Sequence, residues 1–162
     1  MALPDKRRVL EALVARLGET LSQMSSSAEQ TRKDATHEEA KPENDKDTRA
    51  LEQSYLARGQ AMRAEELVEQ REQLRFLPLL RFGPDDALRA SALVMLESDE
   101  GKRCVFIAPY AGGTEVEVDG VQVLVVTGAS SLGAAVMGRM LGDDVELRVR
   151  GTLREYSIVE VA

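Results

Sequence analysis

The residues most able to do chemistry are concentrated in one acidic segment, residues 34–47. This segment contains six acids and two lysines, which gives it a net charge of -4. Its acids are Asp34, Glu38, Glu39, Glu43, Asp45 and Asp47. Carboxylate oxygens are ligands for hard cations such as Mg2+, but the segment contains no metal site that is complete in itself. A charged surface loop that only faces solvent is the alternative interpretation.

Two further reactive side chains stand alone in the sequence. His37 is the only histidine and lies within the acidic segment, and Cys104 is the only cysteine. We expect His37 to be an exposed loop residue and Cys104 to be a small core residue in a strand. A single cysteine excludes a disulfide framework and a zinc cluster within one chain. This cysteine usage fits a reducing cytoplasm, which is the predicted location.

Composition argues against several classes of function. The net charge of -7 disfavours general nucleic-acid binding, whose non-specific part comes from Lys and Arg neutralising phosphates. With no Trp, 3 Phe and 3 Tyr, an aromatic-lined ligand pocket is hard to build. The first residues are charged, so we expect no signal peptide. No apolar run reaches the roughly 18 residues of a membrane span, so no membrane contact is expected.

A first long helix is predicted to lead into the acidic segment. Asp5 can cap this helix, because its carboxylate can accept a hydrogen bond from a free backbone N–H. Apolar residues then follow at alternating steps of four and three, which is the spacing of a coiled coil. These residues are Leu10, Val14, Leu17, Leu21, Met24 and Ala28.

A second long helix is predicted from about residue 47 to Leu74, after a turn in which Pro42 disfavours helix at the preceding residue. Its predicted apolar seam is Ala57, Ala61, Ala64, Val68 and Leu74, with Leu51 and Tyr55 nearer the turn. Two helices of ~28 residues make a hairpin roughly 40 Å long. We therefore predict a first domain, residues 1–75, that is an antiparallel coiled-coil hairpin with an acidic tip at 34–47. A coiled coil between two chains is the alternative.

After residue 75 the hydrophobic period changes from that of a helix to that of strands. Runs rich in β-branched residues predict strands at 91–97, 103–108, 115–118, 121–127, 145–149 and 156–161. Asp119-Gly120 predicts a tight hairpin turn. A serine cap at Ser130 predicts a short helix over 130–141, with Leu132, Ala135, Val136 and Met140 on one face. The fold class is therefore α+β, with a second domain, residues 76–162, in which an antiparallel sheet carries one short helix.

Three segments resemble the Gre transcript cleavage and elongation factors. Residues 130–145 are similar to the family's C-terminal signature, a small-residue helix followed by Gly-Asp-x-Val, with Gly-Asp-Asp-Val at positions 142–145. Residues 154–161 are similar to the family's final strand, and Glu43-Asn44 stands where the family carries Glu-Asn at its hairpin tip. The resemblance covers nearly the whole chain and implies an antiparallel coiled coil followed by an FKBP-like domain.

The resemblance implies a regulator of transcription elongation that binds bacterial RNA polymerase. Family members insert the hairpin into the polymerase's secondary channel, where the tip acids help to hold a second Mg2+ and position water for cleavage of a backtracked transcript. The chemistry belongs to the polymerase, so the chain is expected to be an accessory factor and not an enzyme. We expect no cofactor of its own, Mg2+ only within the complex, indirect contact with nascent RNA and DNA, and a monomer.

The resemblance also assigns roles to residues in three places. The catalytic positions at the tip are Glu39, Glu43 and Asn44. The acids that would share the polymerase's Mg2+ are Glu39, Glu43, Asp45 and Asp47. The residues expected to dock on the polymerase are Ser130, Ser131 and Leu132. The basic residues expected to lie near the RNA are Arg49, Arg58 and Arg63, for which charges that serve only solubility are the alternative.

The tip and the docking loop both depart from the family pattern. Where the family has an Asp three residues before the tip Glu, this chain has Ala40, which cannot ligate a metal, and Glu39 lies one residue early. The docking loop keeps only Ser130 of the family's Asp/Asn-Ser-Pro. Two roles therefore stay open: stimulation of transcript cleavage, and non-cleaving inhibition of the channel or modulation of initiation. Prolyl isomerisation by the FKBP-like domain is disfavoured, because fold does not carry function and few aromatics are present to build an apolar pocket.

Overall fold

The computed structural model describes residues 2–39 and 46–162, and within them all side chains but those of residues 28, 31, 32, 34–39, 46–50 and 53. The helices are α1 (Lys6–Glu39), α2 (Lys46–Arg75) and α3 (Ser131–Val136). The strands are β1 (Leu93–Ser98), β2 (Gly101–Ile107), β3 (Glu115–Val118), β4 (Val121–Val126), β5 (Asp144–Val149) and β6 (Thr152–Val161). The α+β class is confirmed. No helix within the described residues is both long and apolar enough to cross a membrane.

Helix α1 begins where the sequence predicts. The Asp5 carboxylate accepts a hydrogen bond from the Arg8 backbone N–H at 2.9 Å, which satisfies one of the free donors of the first turn. At its other end α1 continues through residues 34–39, where the sequence predicts the start of the turn, so the predicted turn is too long. Residues 34–39 contain neither Gly nor Pro, and nothing in them interrupts a helical backbone.

Each of the two long helices has a seam of buried or half-buried side chains. On α1 the predicted seam is confirmed where it is described, since Leu17 is buried and Leu21 and Met24 are half-buried. On α2 the predicted seam is right at Ala57 and Ala64, which are half-buried, and at Leu74, which is buried. It is wrong at Ala61 and Val68, and at Leu51 and Tyr55 nearer the turn, which are exposed. Among the described side chains of α2, the half-buried ones are Ala57, Gln60, Ala64, Leu67, Gln70 and Arg71.

Polar residues in the α2 seam explain why the predicted seam is partly wrong. The seam repeats at alternating steps of three and four, but Gln60 and Arg71 occupy two of its places. A long polar side chain can bury its aliphatic stem while its head reaches solvent, so polarity alone is a poor guide here. Gly18 of α1 leaves room for Arg71, whose guanidinium lies 3.1 Å from the position of a Cβ on that glycine. Because an early residue of α1 meets a late residue of α2, the helices run antiparallel.

Contacts divide the chain into two compact units. The helical unit is Ala15–Glu72, and the sheet unit combines Met1–Val14 with Gln73–Ala162. The sheet unit therefore includes the first turns of α1 and the last residues of α2. The domain division that the sequence predicts, between residues 75 and 76, stays a prediction.

The six strands form one mixed sheet in the order β3-β4-β2-β1-β6-β5. Four neighbouring pairs are antiparallel, as predicted. The pair of β2 with β4 is parallel, with Cys104 opposite Val123, which corrects the expectation of a wholly antiparallel sheet. The reason lies in β3, whose Glu115 and Glu117 are exposed while β4 is mostly buried. A hairpin that places β3 at the edge and β4 inside the sheet brings β4 parallel to β2.

Two tight turns join neighbouring strands through left-handed residues. Asp119 and Gly120 have φ values of 54° and 77° between β3 and β4, as the sequence predicts. Arg150 and Gly151 have φ values of 50° and 80° between β5 and β6, and this second turn was not predicted. Two consecutive residues with positive φ match the right-handed twist of a hairpin. As a result β6 begins at Thr152, four residues before its predicted start.

The sheet is buried on both faces. One face packs in a cluster with α3 and the segment before β1, which includes Phe82, Leu88, Leu132 and Val136. The opposite face carries Met95, Cys104, Phe106 and Val123, which are also buried, so the core position predicted for Cys104 is confirmed. In the same unit Val9, Leu10, Leu13 and Leu74 are buried, and Arg8 bonds to Asp119. We infer that the first turns of α1 and the end of α2 cover this second face.

Helix α3 is shorter than the sequence predicts. It ends at Val136 because Gly138 adopts a left-handed φ of 80° just beyond the helix, a common way for a helix to stop. Leu132 and Val136 are buried as predicted, and Ala135 is half-buried. Met140, which the sequence places on the same face, is 40% exposed because it lies after the helix has ended.

Candidate functional site

The acidic segment connects the two long helices. Glu39 is the last residue of α1 and Asp47 is the second residue of α2. Glu43, Asn44 and Asp45 lie outside the described residues, as do the side chains of Glu39 and Asp47. Their predicted catalytic and metal-binding roles therefore stay predictions. Among the described residues, no three His, Cys, Asp or Glu side chains are placed to hold a metal ion.

Two acids stand in the last turn of α1. Glu38 and Glu39 stand in its last turn, where the negative end of the helix dipole disfavours an acid by about 0.3–1 kcal/mol. Asp47 stands in the first turn of α2, where the dipole favours an acid. His37 also lies in α1 and not in the predicted loop. Acids that oppose the dipole are consistent with a role other than folding.

The three arginines predicted to lie near RNA do not share one face of α2. Arg58 and Arg63 are exposed, and Arg49 lies in α2 with its side chain outside the described set. Each residue of an α-helix is rotated by about 100° from the one before. Arg49 and Arg63 therefore fall within about 40° of each other, whereas Arg58 is turned by about 140° from Arg63. A shared contact with one RNA strand stays a prediction, and Arg58 fits it least.

The predicted docking residues have three different environments. The Ser130 hydroxyl caps α3: it accepts from the Gly133 N–H at 3.1 Å and donates to the Thr127 carbonyl at 2.8 Å. Leu132 is 8% exposed and belongs to the core, whereas Ser131 is exposed. Only Ser131 of these three presents its side chain to solvent, while Ser130 and Leu132 fix the shape of the loop. Docking on polymerase stays a prediction for all three.

A glycine that the sequence analysis overlooked fixes the same loop. A Cβ on Gly133 would lie 1.9 Å from the Thr127 carbonyl oxygen, far inside contact distance. Only glycine therefore lets the first turn of α3 close on the strand end before it. The local signal was a glycine three residues after a serine cap, where a better helix former would be expected.

Basic residues in the first turn of α1 were also overlooked. Lys6, Arg7 and Arg8 stand where the helix dipole disfavours cations, and two of them, Lys6 and Arg8, bond to distant residues. The Lys6 ammonium donates to the Leu80 carbonyl at 2.5 Å and lies 4.9 Å from the centre of the Phe82 ring. Burial lowers the pKa of Lys6 to about 8. Lys6 thus ties the start of α1 to the segment that follows α2.

A surface cleft of about 580 Å³ lies beside the β1–β2 turn and β6. Its lining residues include the acids Glu97, Asp99, Glu100 and Glu155. The Arg154 guanidinium donates to Glu100 at 2.5 Å. Its hydrogen bond to Tyr156, and then the negative charge of Glu100, raise the pKa of Arg154. The lining contains no aromatic residue, so this cleft is not the apolar pocket that a prolyl isomerase would need.

Comparisons with known proteins give matches in structure only. No protein-family model matches the chain, and no curated protein matches its sequence. Among solved structures, the transcription factor Gfh1 is 20% identical over 93% of each chain, with a TM-score of 0.41. Gfh1 of Thermus aquaticus is 20% identical over 93% of this chain and 94% of its own, with a TM-score of 0.40.

A third solved structure is the prokaryotic transcription elongation factor GreA/GreB from Nitrosomonas europaea. It is 18% identical over 59% of this chain and 78% of its own, with a TM-score of 0.37.

Proposed function

We propose that this chain is a transcription elongation regulator that binds bacterial RNA polymerase and inserts an acidic hairpin tip into the secondary channel. The observation that carries the proposal is the placement of the acidic segment. It joins α1, with 34 residues, to α2, with 30 residues, so its acids stand at the end of two antiparallel helices roughly 45–50 Å long. Such a pair can deliver carboxylates into a narrow channel that a globular domain cannot enter.

The tip acids would act together with the polymerase's own groups. Carboxylates suit Mg2+, and Glu39, Glu43, Asp45 and Asp47 are the residues that would share it. Bound there, Mg2+ would supply Lewis-acid activation of water for phosphodiester cleavage. Asn44 would hold the loop that orients Glu43. The chain itself would remain an accessory factor, because the reacting phosphodiester and the other ligands belong to the polymerase complex.

The sheet unit would provide the attachment to polymerase. Support comes from the α3 loop, where the Ser130 cap and Gly133 hold a fixed backbone and leave Ser131 exposed. A loop fixed in this way loses little conformational entropy on binding. We expect Ser131→Arg to weaken binding to polymerase. The same change at the exposed Ala134, on the next turn of α3, tests how far the contact extends along the helix.

A second candidate function is favoured by one residue. Ala40 stands where the Gre pattern has its first tip acid, and it offers no oxygen ligand. In this version the hairpin enters the channel and obstructs it without promoting cleavage. Synthesis would slow at saturating protein, and no shortened transcript would appear.

Transcript cleavage in a stalled, backtracked elongation complex tests the proposal and separates the two versions. Shortened 3′ ends that depend on the protein, and that disappear with Glu43→Gln, are the result expected for a cleavage factor. Glu66→Gln is the matched control, because Glu66 is an exposed acid of α2 outside the tip. Replacing Ala40 with Asp should raise cleavage if the missing acid limits the rate.

Binding must be measured in the same complexes. Slowed synthesis without cleavage, together with binding to polymerase, supports the channel regulator. No binding to polymerase at any ionic strength overturns both versions, because each requires the chain to occupy the secondary channel.

A further inference from the structure

The outer face of α2 carries an apolar stripe that its own chain leaves in solvent. Leu51, Tyr55 and Met62 are 55%, 65% and 64% exposed, and Arg58 between them is exposed as well. With about 100° per residue, these four side chains fall within an arc of about 60°. The half-buried seam residues Ala57, Gln60, Ala64, Leu67 and Arg71 lie about 130–170° from the centre of this arc, so α1 does not cover the stripe.

The spacing of this outer stripe is self-complementary. When two copies of α2 lie antiparallel about a twofold axis between positions 56 and 57, Leu51 of one copy faces Met62 of the other. In the same register Tyr55 faces Arg58 of the other copy. The apolar pair and the cation–ring pair each occur twice, as a twofold interface requires. A guanidinium over a tyrosine ring is a favourable pair, so each of the four side chains meets a suitable partner.

The rest of α2 favours this antiparallel register over a parallel one. Exposed acids follow the stripe toward the end of the helix, at Glu65, Glu66 and Glu69. Parallel packing in register would oppose these acids to their own copies and would place Arg58 against Arg58, and like charges at such positions are destabilising. The antiparallel pair centred between 56 and 57 separates the two acidic stretches toward opposite ends.

We propose that two copies of this chain self-associate through the outer stripe of α2, with Leu51 against Met62 and Tyr55 against Arg58. This departs from the monomer expected from the sequence, and it does not depend on the proposed function. Eight side chains in all would bury an area on the order of 1,000 Å², at the low end of specific interfaces. The dimer is therefore weak and concentration-dependent, with a Kd in roughly the tens to hundreds of micromolar.

Disulfide trapping tests the register directly. Cys104 is buried, and replacing it with Ala leaves the introduced thiol as the only one. In that background, a mixture of a Leu51→Cys chain with a Met62→Cys chain should oxidise to a mixed dimer. Either chain alone should not, because positions 51 and 62 are eleven residues apart, which separates like residues by about 16 Å along the axis, beyond the reach of a disulfide.

A matched control comes from the same helix. Leu56 is 61% exposed but lies about 140° around α2 from Leu51, so a Leu56→Cys chain mixed with the Met62→Cys chain should give at least about tenfold less mixed dimer. Equal yields from both mixtures mean random collision and overturn the proposal. Efficient cross-linking of Leu51→Cys with itself means parallel packing, which overturns it as well.

Sedimentation equilibrium of the full chain supplies the second measurement. The apparent mass should rise with concentration, and Tyr55→Glu should weaken association by at least about tenfold, whereas Leu56→Glu should leave it unchanged. A single monomer mass up to millimolar concentration overturns the proposal. If Tyr55→Glu then abolishes binding to polymerase in this monomeric chain, the stripe is a contact with a different protein, and self-association is rejected.

Discussion

The helical unit and the sheet unit differ in where their side chains are buried. The largest fully buried side chains all lie in the sheet unit, among them Phe106, Leu13, Leu74 and Leu88. In the described part of the helical unit, Leu17 is the one buried side chain. Because apolar burial is the main stabilising term in folding, we expect most of the free energy of unfolding to come from the sheet unit. Most of the described side chains of the helical unit are exposed.

Replacing a core aromatic tests this contrast with the largest expected effect. Phe106 is 0% exposed in the sheet unit, so Phe106→Ala should lower the free energy of unfolding by about 3–5 kcal/mol. Leu56→Ala, at a residue that is 61% exposed on α2, should change it by less than about 0.5 kcal/mol. Urea titrations followed by circular dichroism measure both. Equal shifts would contradict the division of stability between the units.

Alkaline pH should weaken the sheet unit through Cys104. Burial, with a smaller contribution from Glu160, raises the pKa of the Cys104 thiol to about 12. The unfolded chain ionises this thiol above its ordinary pKa of about 9, so its contribution is complete below pH 9 and is lost as pH rises toward 12. The expected slope is roughly 1.4 kcal/mol per pH unit over this window.

Comparison with Cys104→Ala isolates that slope. Lys6, whose pKa burial lowers to about 8, acts in the opposite direction, because the unfolded lysine keeps its proton up to about pH 10.5. Lys6 is present in both proteins, so its effect cancels in the difference. Urea midpoints measured from pH 8 to pH 11 should fall more steeply for the natural chain. Parallel curves would mean that the thiol does not stay neutral in the folded state.

Two helical glycines should respond in opposite directions to the same change. Gly133→Ala forces a Cβ against the Thr127 carbonyl and should cost about 1–3 kcal/mol. Gly59→Ala meets no atom within 4 Å on the exposed face of α2 and should stabilise the helix by about 0.5–1 kcal/mol. Thermal melts of both variants measure the signs. A stable Gly133→Ala protein would show that the α3 loop tolerates another conformation.

A small effect is expected from a buried polar atom in the seam of the helical unit. The Oε1 atom of Gln60 is buried, and no donor among the described residues reaches it. Gln60→Leu removes that unsatisfied acceptor and adds apolar seam, so it should raise helical stability by about 1 kcal/mol. Gln23→Leu, at an exposed position of α1, is the control and should be near neutral. Hydrogen exchange of the helical amides would detect the gain, and no gain would mean that water satisfies Gln60.

Sequence reasoning succeeded where the signal came from residues close together in the chain. The α1 seam, the six strands and the Ser130 cap all follow from residues within a few positions of one another. It failed for part of the α2 seam, because Gln60 and Arg71 are half-buried there despite their polarity. It also placed the start of β6 late, because Arg150 adopts positive φ, which residues other than glycine rarely do. The tip residues were named from a resemblance, and their roles stay predictions.

By itself the sequence determined two long helices joined by an acidic segment and a strand-rich half with one capped helix, because periodicity and capping are properties of neighbouring residues. Only the tertiary structure decided that β4 lies parallel to β2, that the base of α1 belongs to the sheet unit, and that Lys6 meets Leu80 and Phe82. Each of these depends on which distant surface is available to cover an apolar face or to accept a hydrogen bond. That choice is made by packing the whole chain, and no window of the sequence contains it.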